Sequence, residues 1–214
     1  AIRGSKETYA VLKTRFQLGF ERYISNTKSR CENVKTLISS GQPVSLYKSY
    51  EPVDLVINSL SISIEDFISS SIIKNKRAII TETLGAGKSF TLRYIYSRIT
   101  QENSPIGKIP IFIELRNVDF EHSISSHIAS SLAPFTKDIS ETVVVAGLKA
   151  GVFALLLDGF DEIPLRHRKA ADRQINRLAE NYPNNIVIIS SRPDDTRFLS
   201  WQSFPVYQIA PLDV

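Results

Sequence analysis

The chain has 214 residues, of which 43% are apolar and 22% are charged, a composition that excludes a disordered or low-complexity protein. This length allows one domain of ordinary size with a helical appendage. Its single cysteine, Cys31, excludes a disulfide framework within the chain, which fits the reducing cytoplasm where we expect the protein to be located.

Two kinds of segment are missing from this sequence. No stretch approaches the roughly 18 apolar residues that a membrane-spanning helix needs, and the longest apolar run, residues 152–157, has the length of a strand. The N-terminal residues lack the apolar region of a secretory signal. Because the chain begins with Ala1 and contains no methionine, we expect it to be a fragment of a longer protein.

Charge is distributed unevenly along the chain. The net charge at pH 7 is +4, but residues 1–50 contain nine basic and three acidic residues, whereas the remainder contains 17 basic and 19 acidic ones. A basic segment can dock on nucleic acid or on an acidic partner. The interleaved acidic residues and the scarcity of aromatic residues favour the simpler interpretation, a solvated helix face.

The first part of the chain has a helical pattern. Apolar residues recur every three or four positions from Tyr9 to Tyr23, so we predict helix over residues 5–39, stopped by Gly41 and Pro43.

A connecting region follows, in which the pattern is weaker. Residues 44–50 alternate in a way that is compatible with a strand. Ser63, followed by two acidic residues, suits a helix N-terminus, so we predict a short helix over residues 63–73.

From residue 77, short apolar strands alternate with helices. The predicted strands cover residues 77–81, 109–115, 152–158, 185–190 and 205–210. The predicted helices cover residues 88–100, 123–132, 140–149 and 166–181. Continuous apolar strands separated by helices indicate a parallel sheet with helices on both faces. Such open α/β sheets bind ligands at the carboxyl ends of their strands.

A phosphate-binding loop, or Walker A segment, is predicted directly after the first of these strands. Residues 82–89, ETLGAGKS, match the end of the pattern G-x-x-x-x-G-K-[ST]. Glycines let the backbone curl so that several N–H groups face one anion, and the next helix presents its positive end to the same phosphates. Lys88 suits the β and γ phosphates as a mobile point charge, and the Ser89 hydroxyl suits Mg²⁺.

The predicted nucleotide-binding residues form one run: Thr83, Leu84, Gly85, Ala86, Gly87, Lys88, Ser89 and Phe90. Glu82 stands where the pattern has its first glycine, and its carboxylate would repel a triphosphate unless the side chain pointed away. A glycine-rich turn without a ligand is the alternative interpretation.

An acidic signal of the Walker B type lies at the end of the predicted strand 152–158. The apolar run places Asp158 at the strand tip, where one carboxylate, together with phosphates, suits Mg²⁺. Hydrolysis also needs a group that orients or deprotonates the attacking water. We favour Glu162 as this base and Asp161 for positioning Mg²⁺ or water, although the sequence does not separate these roles. An acidic turn without a ligand is the alternative.

The order of the strands along the chain also predicts that an arginine lies next to the phosphate site. If strand 109–115 lies beyond the strand of Asp158, the strand that ends at Ser190 lies between Asp158 and the phosphate loop. Arg192 then lies beside the γ-phosphate and becomes a candidate sensor and switch residue. An ordinary exposed loop arginine is the alternative.

Together, these segments resemble the NACHT subgroup of STAND ATPases. The resemblance covers roughly residues 75–212 and is carried by the strings GAGKS (85–89), IPIFIELR (109–116), LLDGFDE (156–162) and ISSRP (189–193). It implies an α/β fold of the AAA+ and STAND P-loop NTPase type, a three-layer sandwich with a parallel sheet of order 5-1-4-3-2, preceded by a helical segment. In the family, glycine usually stands in the place of Glu82, and proline often stands in the place of Leu84.

The resemblance implies a switch controlled by ATP and ADP, with Mg²⁺ as cofactor and a slow, regulatory ATPase activity. Such proteins rest with ADP, sense a ligand, exchange nucleotide and oligomerise, and in bacteria many act in antiphage innate immunity. The implied partners are a nucleotide, further copies of the chain, and a phage-derived or other protein trigger that binds outside this fragment.

We divide the chain into an N-terminal helical segment, a connecting region and a NACHT-type nucleotide-binding domain: residues 1–43, 44–76 and 77–214. We expect the C-terminal lid, winged-helix and sensor regions of the family to lie outside this fragment. Two other functions stay open. A degenerate module would act as an oligomerisation scaffold and bind nucleotide weakly because of Glu82, and the basic N-terminal segment suggests an AAA+-like motor on nucleic acid.

Overall fold

A mixed sheet of seven strands forms the centre of the fold. The computed structural model describes residues 20–35, 43–45, 52–82, 87–136, 139–193, 201 and 203–211. In chain order, the strands are β1 (Asn33–Lys35), β2 (Pro43–Ser45), β3 (Leu55–Ile57), β4 (Leu60–Ile62), β5 (Arg77–Thr81), β6 (Ile109–Glu114), β7 (Phe153–Asp158), β8 (Ile186–Ser191) and β9 (Val206–Ile209).

Six helices accompany these strands within the described part of the chain. They are α1 (residues 20–32), α2 (Ile64–Asp66, the π-helical Phe67–Ser71 and Ile72–Asn75), α3 (Lys88–Ile99), α4 (Ile124–Leu132), α5 (Glu141–Ala150) and α6 (Leu165–Asn181). Short 3-10 turns follow β6 and β7, at Leu115–Asn117 and Phe160–Glu162. Each strand and helix predicted from residue 77 onward is confirmed to within one residue at either end.

The strand order in the sheet is β4-β3-β9-β5-β8-β7-β6. Strands β5 to β9 run parallel to their neighbours within this group. Numbered in chain order among themselves, these five follow the predicted order 5-1-4-3-2. The sheet is wider than predicted, because β3 and β4 extend it beyond β9 as antiparallel strands.

Helices cover both faces of this sheet. Successive side chains of a strand point to opposite faces, so alternate residues of the central strands belong to two different hydrophobic cores. One face packs against α4, α5 and α6, and the other packs against α2 and α3. In β7, for example, Leu155 and Leu157 belong to the first core, whereas Ala154 and Leu156 belong to the second. Every residue of β7 and β8 is buried. The predicted three-layer α/β sandwich is therefore confirmed.

Helix ends in this fold are set by local sequence. A serine hydroxyl accepts a hydrogen bond from the N–H three residues later at the start of α2, α4 and α5, over 3.0–3.4 Å. These capping residues are Ser63, Ser123 and Ser140. Helix α5 ends at Ala150 and is capped by Gly151, whose φ of +69° favours glycine. Such signals explain why the predicted and observed ends agree so closely.

The prediction of helix over residues 5–39 is wrong at residues 33–35. Residues 20–32 are helical, but the chain then turns into β1, which pairs antiparallel with β2. Asn33 explains the stop, because its side-chain amide donates to the carbonyl of Ser29 over 2.9 Å and thereby satisfies a group that a continuing helix would use. The rest of that prediction, residues 5–19 and 36–39, lies outside the described residues.

The connecting region contributes to the sheet, which the sequence pattern did not indicate. Strands β3 and β4 form a hairpin whose two turn residues, Asn58 and Ser59, both have positive φ, 49° and 65°, as a two-residue hairpin turn requires. Strand β3 then pairs with β9. The short helix predicted from Ser63 is confirmed as α2. Only residues 44 and 45 of the weakly alternating stretch 44–50 are described, and they belong to β2.

Among the described residues, no helix is both long enough and apolar enough to cross a membrane.

Candidate functional site

The predicted site residues gather where the central parallel strands end. Strand β8 lies between β5 and β7, and its Ser190 is paired in register with Ile80 of β5. The same strand pairs Ile189 with Leu157 of β7. Since parallel strands end at one edge of a sheet, this register brings the phosphate loop, Asp158 and the end of β8 side by side.

The carboxylate of Asp158 accepts hydrogen bonds from two serine hydroxyl groups, one in α3 and one in β8. Ser89 Oγ, in the first turn of α3, donates to Asp158 Oδ1 over 3.0 Å. Ser190 Oγ donates to the same oxygen over 2.6 Å and itself accepts from the Gly159 N–H over 2.8 Å. Asp158 is only 7% exposed. Its orientation is therefore fixed by hydrogen bonds from the phosphate loop and from β8 together.

Asp161 links two cations of the predicted site. Lys88 Nζ lies 3.4 Å from Asp161 Oδ1, and Arg192 Nε lies 3.1 Å from Asp161 Oδ2. The side chains of Lys88 and Asp161 are largely buried, whereas that of Arg192 is 69% exposed. The candidate sensor arginine is therefore paired through one carboxylate with the loop lysine.

A side chain of α6 holds this acidic turn in position through hydrogen bonds to the backbone of the turn. Arg168 donates from Nη2 to the Asp161 carbonyl over 2.6 Å and from Nε to the Ile163 carbonyl over 2.7 Å. The turn also needs a glycine, because Gly159 has φ +78° and a Cβ there would lie 3.1 Å from Glu162 Cδ. The sequence analysis did not identify Arg168, since one arginine in the basic run RHRK carries no signal of its own.

Glu162 lies at the outer side of this cluster. Its side chain is 45% exposed, and its Oε2 lies 3.3 Å from Arg116 Nη1. Arg116 also bonds to Glu114 at the end of β6. The structure therefore separates the two carboxylates that the sequence could not distinguish, because Asp161 is enclosed by cations whereas Glu162 faces the surface.

Glu82 points into the phosphate loop. Its Oε2 accepts from the backbone N–H of Gly87 over 2.5 Å and from that of Lys88 over 3.1 Å. The first N–H groups of a helix have no partner within it and attract anions, so a nearby carboxylate is a suitable acceptor for them. An orientation away from the loop would have avoided repulsion of a bound triphosphate, but the side chain does not have that orientation.

The other predicted loop residues are only partly described. Thr83, Leu84, Gly85 and Ala86 lie outside the described residues, so their nucleotide contacts stay predictions. Phe90 is half-buried, packs against the core beneath α3 and lines a cavity of about 760 Å³ between α1, α3 and β6.

The oxygen groups at the site fit Mg²⁺. Within the described ranges, no group of three or more His, Cys, Asp or Glu side chains could hold a metal by itself. The Ser89 hydroxyl and the Asp158 carboxylate are adjacent, and hard oxygen ligands of this kind hold Mg²⁺ together with phosphate oxygens and water.

Comparisons with known proteins agree with this geometry. The model of the NACHT domain matches residues 77–212, well over half of the chain. Individually curated proteins give no match. NACHT domains are nucleotide-binding P-loop NTPases of the STAND type, which typically bind Mg²⁺ with the nucleotide. The chain therefore belongs to the NACHT family of P-loop NTPases.

Proposed function

We propose that this chain is the ATP- and ADP-binding switch of a NACHT signalling protein, with slow Mg²⁺-dependent ATPase activity. The observation that carries the proposal is the 3.0 Å hydrogen bond between Ser89 Oγ and Asp158 Oδ1. These residues come from two motifs 69 positions apart, and both have the oxygen chemistry that Mg²⁺ selects.

The proposed binding roles follow from position. The backbone N–H groups of residues 83–88 face the phosphates, and Lys88 moves from Asp161 to the β and γ phosphates. Ser89 and Asp158 would hold Mg²⁺, which would supply positive charge against the negative charge that builds up on the phosphates. The short distance between these two residues supports their sharing one ion.

The proposed catalytic roles divide the acidic turn. Glu162 accepts a proton from the attacking water, and Asp161 positions water or Mg²⁺. The exposure of Glu162 supports this division, because its carboxylate is accessible to water and pairs, among the described residues, with the exposed Arg116. Asp161 is already engaged by two cations.

Arg192 is the proposed sensor of the nucleotide state. It is paired with Asp161 at 3.1 Å and is itself largely exposed, so its guanidinium group can exchange that carboxylate for a γ-phosphate. Such an exchange couples the phosphate at the loop to the end of β8, which gives the switch a defined moving part.

Oligomerisation after nucleotide exchange, a protein trigger and a role in antiphage defence complete the proposal. Membership of the NACHT family supports them. We place the switch in residues 77–214, with the segments 1–43 and 44–76 before it.

Binding of nucleotide to the full chain tests the proposed function. Calorimetry should detect binding of ADP and ATP in the presence of Mg²⁺, and released phosphate should show turnover far below that of a typical enzyme, about 10 per second. Absence of binding at millimolar nucleotide would contradict the switch.

A second candidate is supported by a different observation. Glu82 bonds to the N–H groups of Gly87 and Lys88, as expected of a degenerate loop in an oligomerisation scaffold that binds nucleotide weakly. Under this candidate, the chain would self-associate in the same way with and without ADP. Light scattering with and without the nucleotide distinguishes a scaffold from a switch.

A further inference from the structure

The carboxylate of Glu82 uses the same hydrogen-bond donors that the proposed function assigns to nucleotide phosphate. Its Oε2 lies 2.5 Å from Gly87 N and 3.1 Å from Lys88 N. Each backbone amide has a single N–H to donate. A phosphate oxygen can therefore bind these two groups only after the carboxylate has left them.

The carboxylate also occupies the space beside the loop glycine. A Cβ on Gly87 would lie 3.2 and 3.3 Å from the two carboxylate oxygens of Glu82. Glycine in a phosphate loop leaves this side of the backbone open for close approach of an anion. Here that anion is the carboxylate of Glu82, five positions before Gly87 in the sequence.

The contacts of Lys88 leave the carboxylate replaceable. Its Nζ pairs with Asp161 at 3.4 Å, so its backbone N–H binds Glu82 while its side chain binds a different acid. A phosphate that displaced Glu82 would gain the ammonium group as well as the backbone donors. The carboxylate of Glu82 is bound by two backbone N–H groups, whereas a phosphate would be bound by the same N–H groups and by the Lys88 ammonium group.

We propose that Glu82 is an internal competitor of the nucleotide phosphate, and this inference rests on the proposed function. The competition lowers the affinity of the chain for ADP and for ATP together, because both nucleotides place a phosphate in the loop. It also gives the N–H groups of Gly87 and Lys88 a hydrogen-bond acceptor after ADP leaves, which favours nucleotide exchange. Adenosine has no phosphate and does not compete with Glu82.

Calorimetric titration of the full chain with ADP, inorganic pyrophosphate and adenosine tests this inference. Glu82→Gln removes the charge and keeps the size of the side chain, and Glu82→Gly restores the glycine of the loop pattern. Glu102→Gln is the matched control, since Glu102 is exposed beyond the opposite end of α3. Thermal melting of each variant verifies that it is folded.

The expected result is a gain of at least about tenfold in affinity for ADP and for pyrophosphate in both Glu82 variants. The affinity for adenosine and the behaviour of Glu102→Gln should not change. Unchanged ADP affinity in both folded variants would overturn the competition and leave the proposed switch intact. An equal gain for adenosine would also overturn it, because the effect would not lie at the phosphate.

Failure of the proposed function gives a different pattern. If the Glu82 variants bind ADP and the wild-type chain does not bind it at millimolar concentration, the competition is supported and the scaffold replaces the switch. If neither wild type nor variant binds ADP or pyrophosphate, both the competition and the proposed function are overturned.

Discussion

Lys88 Nζ lies 3.4 Å from Asp161 Oδ1, so the lysine of the phosphate loop is paired with a carboxylate from the turn after β7. This pair spans β8, the strand between them, and Arg192 at the end of that strand joins it through the other oxygen of Asp161. One carboxylate thus links the ends of the three central strands.

Lys88→Ala should lose phosphate affinity. A charge-assisted hydrogen bond contributes about 1.5–3 kcal/mol, so the dissociation constant for ADP should rise about tenfold to a hundredfold. Adenosine should bind as before. Lys169→Ala, which removes an exposed lysine of α6, is the control, and an equal loss in both variants would contradict the role of Lys88.

Glu162→Gln should spare nucleotide binding and slow hydrolysis. Removing a general base typically costs about a hundredfold or more in rate, whereas the amide keeps the size of the side chain. Phosphate release under single-turnover conditions measures the chemical step. Hydrolysis at the wild-type rate would show that Glu162 is not the base, and Asp161→Asn would then be the next variant to measure.

Arg192→Ala should reduce discrimination between ATP and ADP. The arginine contacts Asp161 at 3.1 Å from an exposed position, and we expect it to meet only the nucleotide that carries a γ-phosphate. The ratio of ATP to ADP affinity should fall about fivefold or more, as measured by titration with a non-hydrolysable ATP analogue. A parallel loss for both nucleotides would identify Arg192 as a general phosphate contact instead.

Cys31 should be unreactive in the folded chain. Burial raises the pKa of the Cys31 thiol from 9.0 to about 12, so the thiolate that attacks alkylating reagents is scarce at about pH 8. Labelling with iodoacetamide should be at least about a hundred times slower than in denaturant. Fast labelling of the native chain would contradict the burial of Cys31 in the core that also contains residues of α3.

The parallel sheet could be predicted because its strands are buried on both sides. Strands of this kind leave continuous apolar runs such as residues 153–157, which helix patterns and capping serines separate. The hairpin of β3 and β4 could not be predicted in this way. Its strands have three residues each, and its turn uses Asn58 and Ser59 without the glycine that marks most such turns.

Within the candidate site, strand order predicted more than the motif pattern did. The proximity of Ser89, Asp158 and Ser190 follows from parallel strands that end at one edge. The orientation of Glu82 does not follow from the sequence, because it depends on which N–H groups the loop turns toward that side chain. The support that Arg168 gives to the acidic turn likewise depends on tertiary packing.

In the proposed function, Ser89 and Asp158 hold Mg²⁺ beside a bound nucleotide. The most direct test of this role is the ATP affinity of the wild-type chain and of Asp158→Asn, each measured with and without Mg²⁺. We expect Mg²⁺ to raise the wild-type affinity at least about tenfold and to have little effect on the variant. If Mg²⁺ changes the ATP affinity of both chains equally, or does not change that of the wild type, Ser89 and Asp158 do not hold the ion.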